Sequence, residues 1–113
     1  MARRQVLILY QASLLAQGIE SLLRKEKSLE VVGLQLGKRV AETQDANFEP
    51  DAIILDTSDL GGRAGVSILN LLHEHPKAKV ICMNAEDDRL EVYRKDERIA
   101  TRREELVDAI RSN

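Results

Sequence analysis

Short runs of consecutive apolar residues, separated by segments with helical spacing, constrain the fold of this chain most strongly. Residues 5–10 (QVLILY), 51–56 (DAIILD) and 79–84 (KVICMN) lack the regular apolar–polar alternation of a half-exposed strand. Nearly continuous apolar strands are typical of parallel sheets that are covered on both faces. We therefore predict three central strands, and a weaker strand over residues 28–36, where Gly33 interrupts the pattern.

Helical periodicity occupies the intervals between these strands. Apolar residues recur at helical spacing over residues 14–25 and 66–72, and Pro76 ends the second of these segments. Residues 38–47 are polar but contain no helix breaker, and we predict a helix there as well. Thr101 is expected to cap a last helix that ends near Arg111. Strands that alternate with helices predict a single α/β domain over residues 1–113, with a mostly parallel sheet and helices on both faces.

Residues 85–100 interrupt this alternation. The segment is highly charged and has little apolar helical face, but Leu90 and Val92 alternate with Glu91 and Tyr93. A period of two residues favours a strand, and residues 98–100 provide a short returning strand. We therefore predict a β-hairpin at the edge of the sheet.

Composition and charge exclude several classes of protein. The 113 residues carry 17 basic and 19 acidic side chains, so the net charge is −2, and nothing in it indicates a direct nucleic-acid or membrane partner. Cys82 is the single cysteine, which excludes an intramolecular disulfide and a cysteine-based zinc site. The chain shows neither a signal peptide nor a run of about 20 apolar residues. We expect a cytoplasmic domain without a metal or cofactor.

Four segments together resemble the receiver domains of the response-regulator family. VLILYQASLLAQGIESLL is similar to the opening of such domains, and EVVG, PDAIILD and EELVDAI match later strands and the last helix. The resemblance implies a flavodoxin-like doubly wound sheet with strand order 2-1-3-4-5. The edge hairpin would then replace the usual fourth helix.

The resemblance also implies a phosphorylation site at the end of the third strand, where Asp56 occupies the phosphoacceptor position. Phosphoryl transfer needs Mg²⁺, which receivers hold partly with acids at the end of the first strand, but this chain has Tyr10 and Gln11 there. The usual Thr or Ser after the fourth strand is Asn84, and the usual Lys aligns with Ile99. We therefore interpret Asp56 as vestigial, with a carboxylate that ties a turn, and the chain as a pseudo-receiver without enzymatic activity.

The loop after Asp56 leaves a second interpretation open. It contains Gly61, Gly62, Arg63 and Gly65 directly before a helix. Free N–H groups at a helix N-terminus bind anions, so this loop would suit a sensor of a small anion or nucleotide. Nearby loops also hold acids that offer alternative cation ligands: Asp59, Glu86 and Asp87.

The interpretation that we favour is a signal-transduction module that contacts another protein or a second copy of itself. An edge hairpin offers unpaired backbone groups, and charges of both signs permit a specific contact without general aggregation. The predicted apolar anchors are Leu90, Val92 and Tyr93, and Tyr93 has the side chain best suited to an energetic hot spot.

Overall fold

The computed structural model describes residues 4–10, 14–35, 49–57, 64–84, 87–94 and 97–111. Within these residues the chain forms six strands, three α-helices and one turn of 3₁₀ helix. In chain order they are β1 (Arg4–Tyr10), α1 (Leu14–Arg24), β2 (Leu29–Gln35), β3 (Ala52–Asp56), α2 (Ala64–Glu74), β4 (Lys79–Asn84), β5 (Asp87–Arg94), β6 (Glu97–Arg102), the 3₁₀ turn (Arg103–Glu105) and α3 (Leu106–Arg111).

All six strands belong to one mixed sheet with the order β2-β1-β3-β4-β5-β6. The first four strands are parallel, whereas β5 is antiparallel to β4 and β6 is antiparallel to β5. The α/β class and the mostly parallel core are therefore confirmed. The sheet has one strand more than the expected order 2-1-3-4-5, because both strands of the hairpin join it.

The continuous apolar runs form the central strands because both faces of the sheet are covered there. All of β3 and the first five residues of β4 are buried. On β1, Val6 and Ile8 pack with α1 and α3, whereas Leu7 and Leu9 pack with α2 on the other face. A strand between two apolar layers gains from apolar residues at every position.

The predicted hairpin is present and extends two residues further than expected, to Arg102. All six residues of β6 pair with β5, from Arg94 with Glu97 to Arg89 with Arg102. The prediction that Thr101 caps the last helix is wrong, because Thr101 pairs with Leu90 inside β6 and α3 begins only at Leu106. The Thr101 hydroxyl nevertheless donates a hydrogen bond to the Glu105 carboxylate, which joins β6 to the following turn.

Charged side chains fasten α3 to the sheet and to the turn before β2. Lys79 Nζ donates a 2.6 Å hydrogen bond to the Ala109 carbonyl oxygen. Arg111 Nη2 donates a 2.8 Å hydrogen bond to Ser28 Oγ.

The predicted helix over residues 38–47 lies outside the described residues. Of the helices that the structure describes, none has the length and apolar character needed to cross a membrane.

Candidate functional site

Three of the predicted site positions lie where the parallel strands reach their carboxyl ends. We call that end of the sheet the carboxyl edge. Leu9 pairs with Leu55, and Asp56 pairs with Met83. The backbone of Tyr10, Asp56 and Asn84 therefore lies along the same edge, on neighbouring strands β1, β3 and β4. Gln11 lies outside the described residues.

Asp56 ends β3 and is buried, with an exposed fraction of only 4%. The residue after it ties the edge together, because Thr57 Oγ1 donates a 3.3 Å hydrogen bond to the Met83 carbonyl oxygen on β4. The Asp56 carboxylate is thus enclosed where a phosphoacceptor must meet its donor and a metal ion. This burial favours a structural role for Asp56.

Arg103 is a residue at this edge that our sequence analysis did not identify. It begins the 3₁₀ turn after β6, and its Nη2 donates a 2.8 Å hydrogen bond to the Asn84 carbonyl oxygen at the end of β4. Ile99, which we had aligned with the usual Lys, instead pairs with Val92 in the middle of β6. The Arg103 guanidinium therefore lies at the carboxyl end of β4, although Arg103 is three residues beyond residue 100, where the predicted strand ended.

A depression of about 160 Å³ adjoins this edge. The pairing of β4 with β5 is irregular here, because the strand register shifts between Met83 and Asn84. The lining residues are mostly polar and carry both charges: Thr57, Cys82, Met83, Asn84, Arg89 and Glu91. A space of this size holds a few water-sized groups and no large substrate.

The Cys82 thiol in this depression is not an activated nucleophile. Cys82 is buried, and burial together with the nearby Glu91 carboxylate raises its pKa to about 12. The thiolate is the nucleophilic form, and at neutral pH it is essentially absent here. Among the described residues, no three His, Cys, Asp or Glu side chains form a group that could hold a metal ion.

Three side chains form a contact network on the face of the hairpin that points away from α3; we call Glu91, Tyr93 and Arg98 the hairpin cluster. The Tyr93 hydroxyl donates a 2.5 Å hydrogen bond to Glu91 Oε2, and Arg98 Nη2 donates a 2.8 Å hydrogen bond to Glu91 Oε1. The Arg98 guanidinium also lies 5.7 Å from the centre of the Tyr93 ring, within cation–π range. Each member of the cluster therefore contacts the other two.

The hydrogen bonds also set the charges of the hairpin cluster. The pKa of the Glu91 carboxyl lies below its usual value. The main cause is the hydrogen bond from the Tyr93 hydroxyl, and the hydrogen bond and charge of Arg98 lower it further. The same hydrogen bond to Glu91, aided by burial, raises the pKa of Tyr93 to about 12. At neutral pH the cluster thus presents a carboxylate, a neutral phenol and a guanidinium in a fixed arrangement.

Two of the predicted interface anchors need correction. Leu90 and Val92 are 0% and 5% exposed, and they pack in the core with Leu106 and Ile110 of α3. Successive strand residues point to opposite faces, so the residues that alternate with them face away from α3. The predicted anchor that remains is Tyr93, a partly buried member of the hairpin cluster.

The proposed anion loop lies largely outside the described residues, as do Asp59 and Glu86. Gly61, Gly62 and Arg63 belong to that segment, whereas Gly65 lies in the first turn of α2, which begins at Ala64. Asp87 is the first residue of β5.

Comparisons with protein-family models, curated proteins and solved structures found no match to this chain. A functional interpretation therefore depends on the sequence and geometry of the chain itself.

Proposed function

We propose that this chain is a receiver-like signal-transduction module that acts through protein–protein contacts and independently of phosphorylation at Asp56. The finer fold in this proposal is a flavodoxin-like doubly wound sheet. It is supported by the central strand order β2-β1-β3-β4 and by helices on both faces. The partner is another protein or a second copy of this chain.

The burial of Asp56 is the observation that carries the proposal. Phosphoryl transfer needs an acceptor oxygen in line with the donor and Mg²⁺ to neutralise the developing charge. The Asp56 side chain is 4% exposed, and the neighbouring strand ends at Tyr10 rather than at an acid. An acceptor that is enclosed, and that has Tyr10 in place of an acid at the end of the neighbouring strand, loses the largest electrostatic contribution to catalysis.

The hairpin cluster supplies a surface suited to a protein partner. Tyr and Arg are, together with Trp, the residue types enriched among energetic hot spots at interfaces. Tyr93 and Arg98 already hold each other and Glu91 in place, so a partner loses less side-chain entropy when it binds them. The cluster thus resembles a preorganised contact surface.

We expect acetyl phosphate and Mg²⁺ to leave the chain unmodified at Asp56. The intact mass measured after prolonged incubation should equal that of the untreated chain and of Asp56→Asn treated identically. An active receiver incubated in parallel shows that the donor is competent. A gain of one phosphoryl group that disappears in Asp56→Asn would overturn the proposal.

A further inference from the structure

We propose that the outer edge of β6 binds an extended acidic segment of a partner protein, which joins the sheet as an additional strand. The inference rests on the proposed function, because it specifies the chemistry of the partner that such a module contacts.

The outer edge of β6 has the regularity that strand addition needs. β6 is the terminal strand of the sheet, and its six residues pair with β5 without a register shift. In the part of the chain that the structure describes, no strand lies beyond it. The N–H and C=O groups on that side are therefore spaced to pair with an extended peptide.

Two exposed arginines lie along one face of this edge. The side chains of Arg98 and Arg102 are 61% and 75% exposed, and they lie on the same face, about 13 Å apart along the strand. Ala100 between them is exposed and small. Arg98 also pairs with Glu91, and Arg102 lies 3.9 Å from Glu104, so an acidic strand would contact the exposed guanidinium N–H groups and not a surplus of local charge.

The register places a third arginine beside this pair. Arg102 lies opposite Arg89 of β5, whose charge also acts on the Glu91 carboxylate. The exposed contact of Arg102 with Glu104, at 3.9 Å, is weak. A carboxylate from an added strand would give Arg102 a second acidic partner.

These features define the occupant. A matching strand carries two acidic side chains four positions apart, opposite Arg98 and Arg102, with a small residue opposite Ala100. A second copy of β6 fits less well: in a two-fold pair centred on Ala100, Arg98 would face Arg102 of the other copy twice. Centred on Ile99, Arg98 would lie opposite Ala100 of the other copy and would meet no acid there.

A short peptide tests the inference on the intact chain. The probe is Thr-Glu-Val-Ser-Val-Glu-Thr with blocked ends. The control peptide, Thr-Glu-Val-Ser-Glu-Val-Thr, has the same composition but places its acids on opposite faces of a strand. Each is titrated to about 1 mM, the range suited to a single short strand, while backbone amide shifts and peptide affinity are measured.

We expect the matched peptide to shift amides of Glu97–Arg102 selectively. The control peptide should bind at least about tenfold more weakly, and so should the matched peptide to a chain with Arg98→Gln and Arg102→Gln. A chain with Arg24→Gln and Lys25→Gln loses the same charge at exposed positions at the end of α1 and directly after it, and should bind normally.

Equal binding of both peptides, or no shift in β6, would overturn the inference. Two further results would overturn it. One is that an RNA oligomer of equal charge binds with the same dependence on Arg98 and Arg102. The other is that the chain dimerises through β6 and that Arg98→Gln with Arg102→Gln strengthens the dimer. None of these results depends on Asp56. Phosphorylation of Asp56 would overturn the proposed function whatever the peptide does, so the two failures are distinguishable.

Discussion

Truncation of Leu90 to alanine is expected to lower the free energy of unfolding by about 3 kcal/mol. Leu90 is fully buried and packs in the cluster that joins the hairpin to Leu106 and Ile110 of α3. The truncation removes buried methyl groups and leaves a cavity that the surrounding strands cannot fill. Such a loss is a large share of the stability of a small domain.

Urea denaturation of Leu90→Ala and Leu69→Ala compares the same chemical change in two environments. Leu69 lies on α2 with its side chain largely exposed, so its truncation should change the free energy of unfolding by less than about 0.5 kcal/mol. If Leu90→Ala were as mild as Leu69→Ala, the hairpin would be a peripheral addition and not part of the core.

Lys79 is expected to make the chain more stable as the pH rises from 8 to 10.5. Its side chain is 6% exposed, and burial, followed by the charges of Arg94 and Arg4, lowers its pKa from 10.5 to about 8. The folded state therefore releases the Lys79 proton more easily than the unfolded state. Below pH 8, Lys79 is protonated in both states, and its charge destabilises the folded state fully. Between pH 8 and 10.5 this destabilisation is relieved, and the free energy of unfolding rises by about 3 kcal/mol.

Two acidic groups act in the opposite direction, so the Lys79 effect must be measured as a difference. Folding raises the pKa of Cys82 from 9.0 and that of Tyr93 from 10.0, in both cases to about 12. Because the unfolded state then loses these protons first, the folded state loses stability above pH 9 through Cys82 and above pH 10 through Tyr93. Both groups are also present in Lys79→Met, whose stability should lack the Lys79 contribution. The difference in unfolding free energy, native minus variant, should rise by about 3 kcal/mol. Parallel curves would contradict the lowered pKa.

The sheet was largely predictable because apolar continuity and period-two alternation depend on local sequence. β4 has the predicted bounds, and β3 begins one residue later than expected, since these strands are covered on both faces. The alternation of Leu90 and Val92 correctly indicated a hairpin. Alternation assigns residues to a shared face, however, and does not say which face another element covers.

The site was less predictable because it depends on contacts between distant segments. Leu90 and Val92 were expected at an interface, but α3 packs on their face and buries them. Arg103 was not predicted as a site residue because the expected strand ended at residue 100. β6 extends to Arg102, and this places the Arg103 side chain within hydrogen-bond distance of the end of β4. The contact of Tyr93 with Arg98 likewise follows from the register of β5 and β6, which period-two alternation leaves undetermined.

Photo-cross-linking from position 93 tests the central claim most directly. A benzoylphenylalanine replaces Tyr93 in the native chain, expressed in its own cells, and a second chain carries it in place of Leu22, which is exposed on α1. The account predicts one discrete cross-linked protein from position 93, in the same yield when Asp56→Asn is added, and none from position 22. A product from position 22 alone, or one from position 93 that disappears with Asp56→Asn, would contradict it.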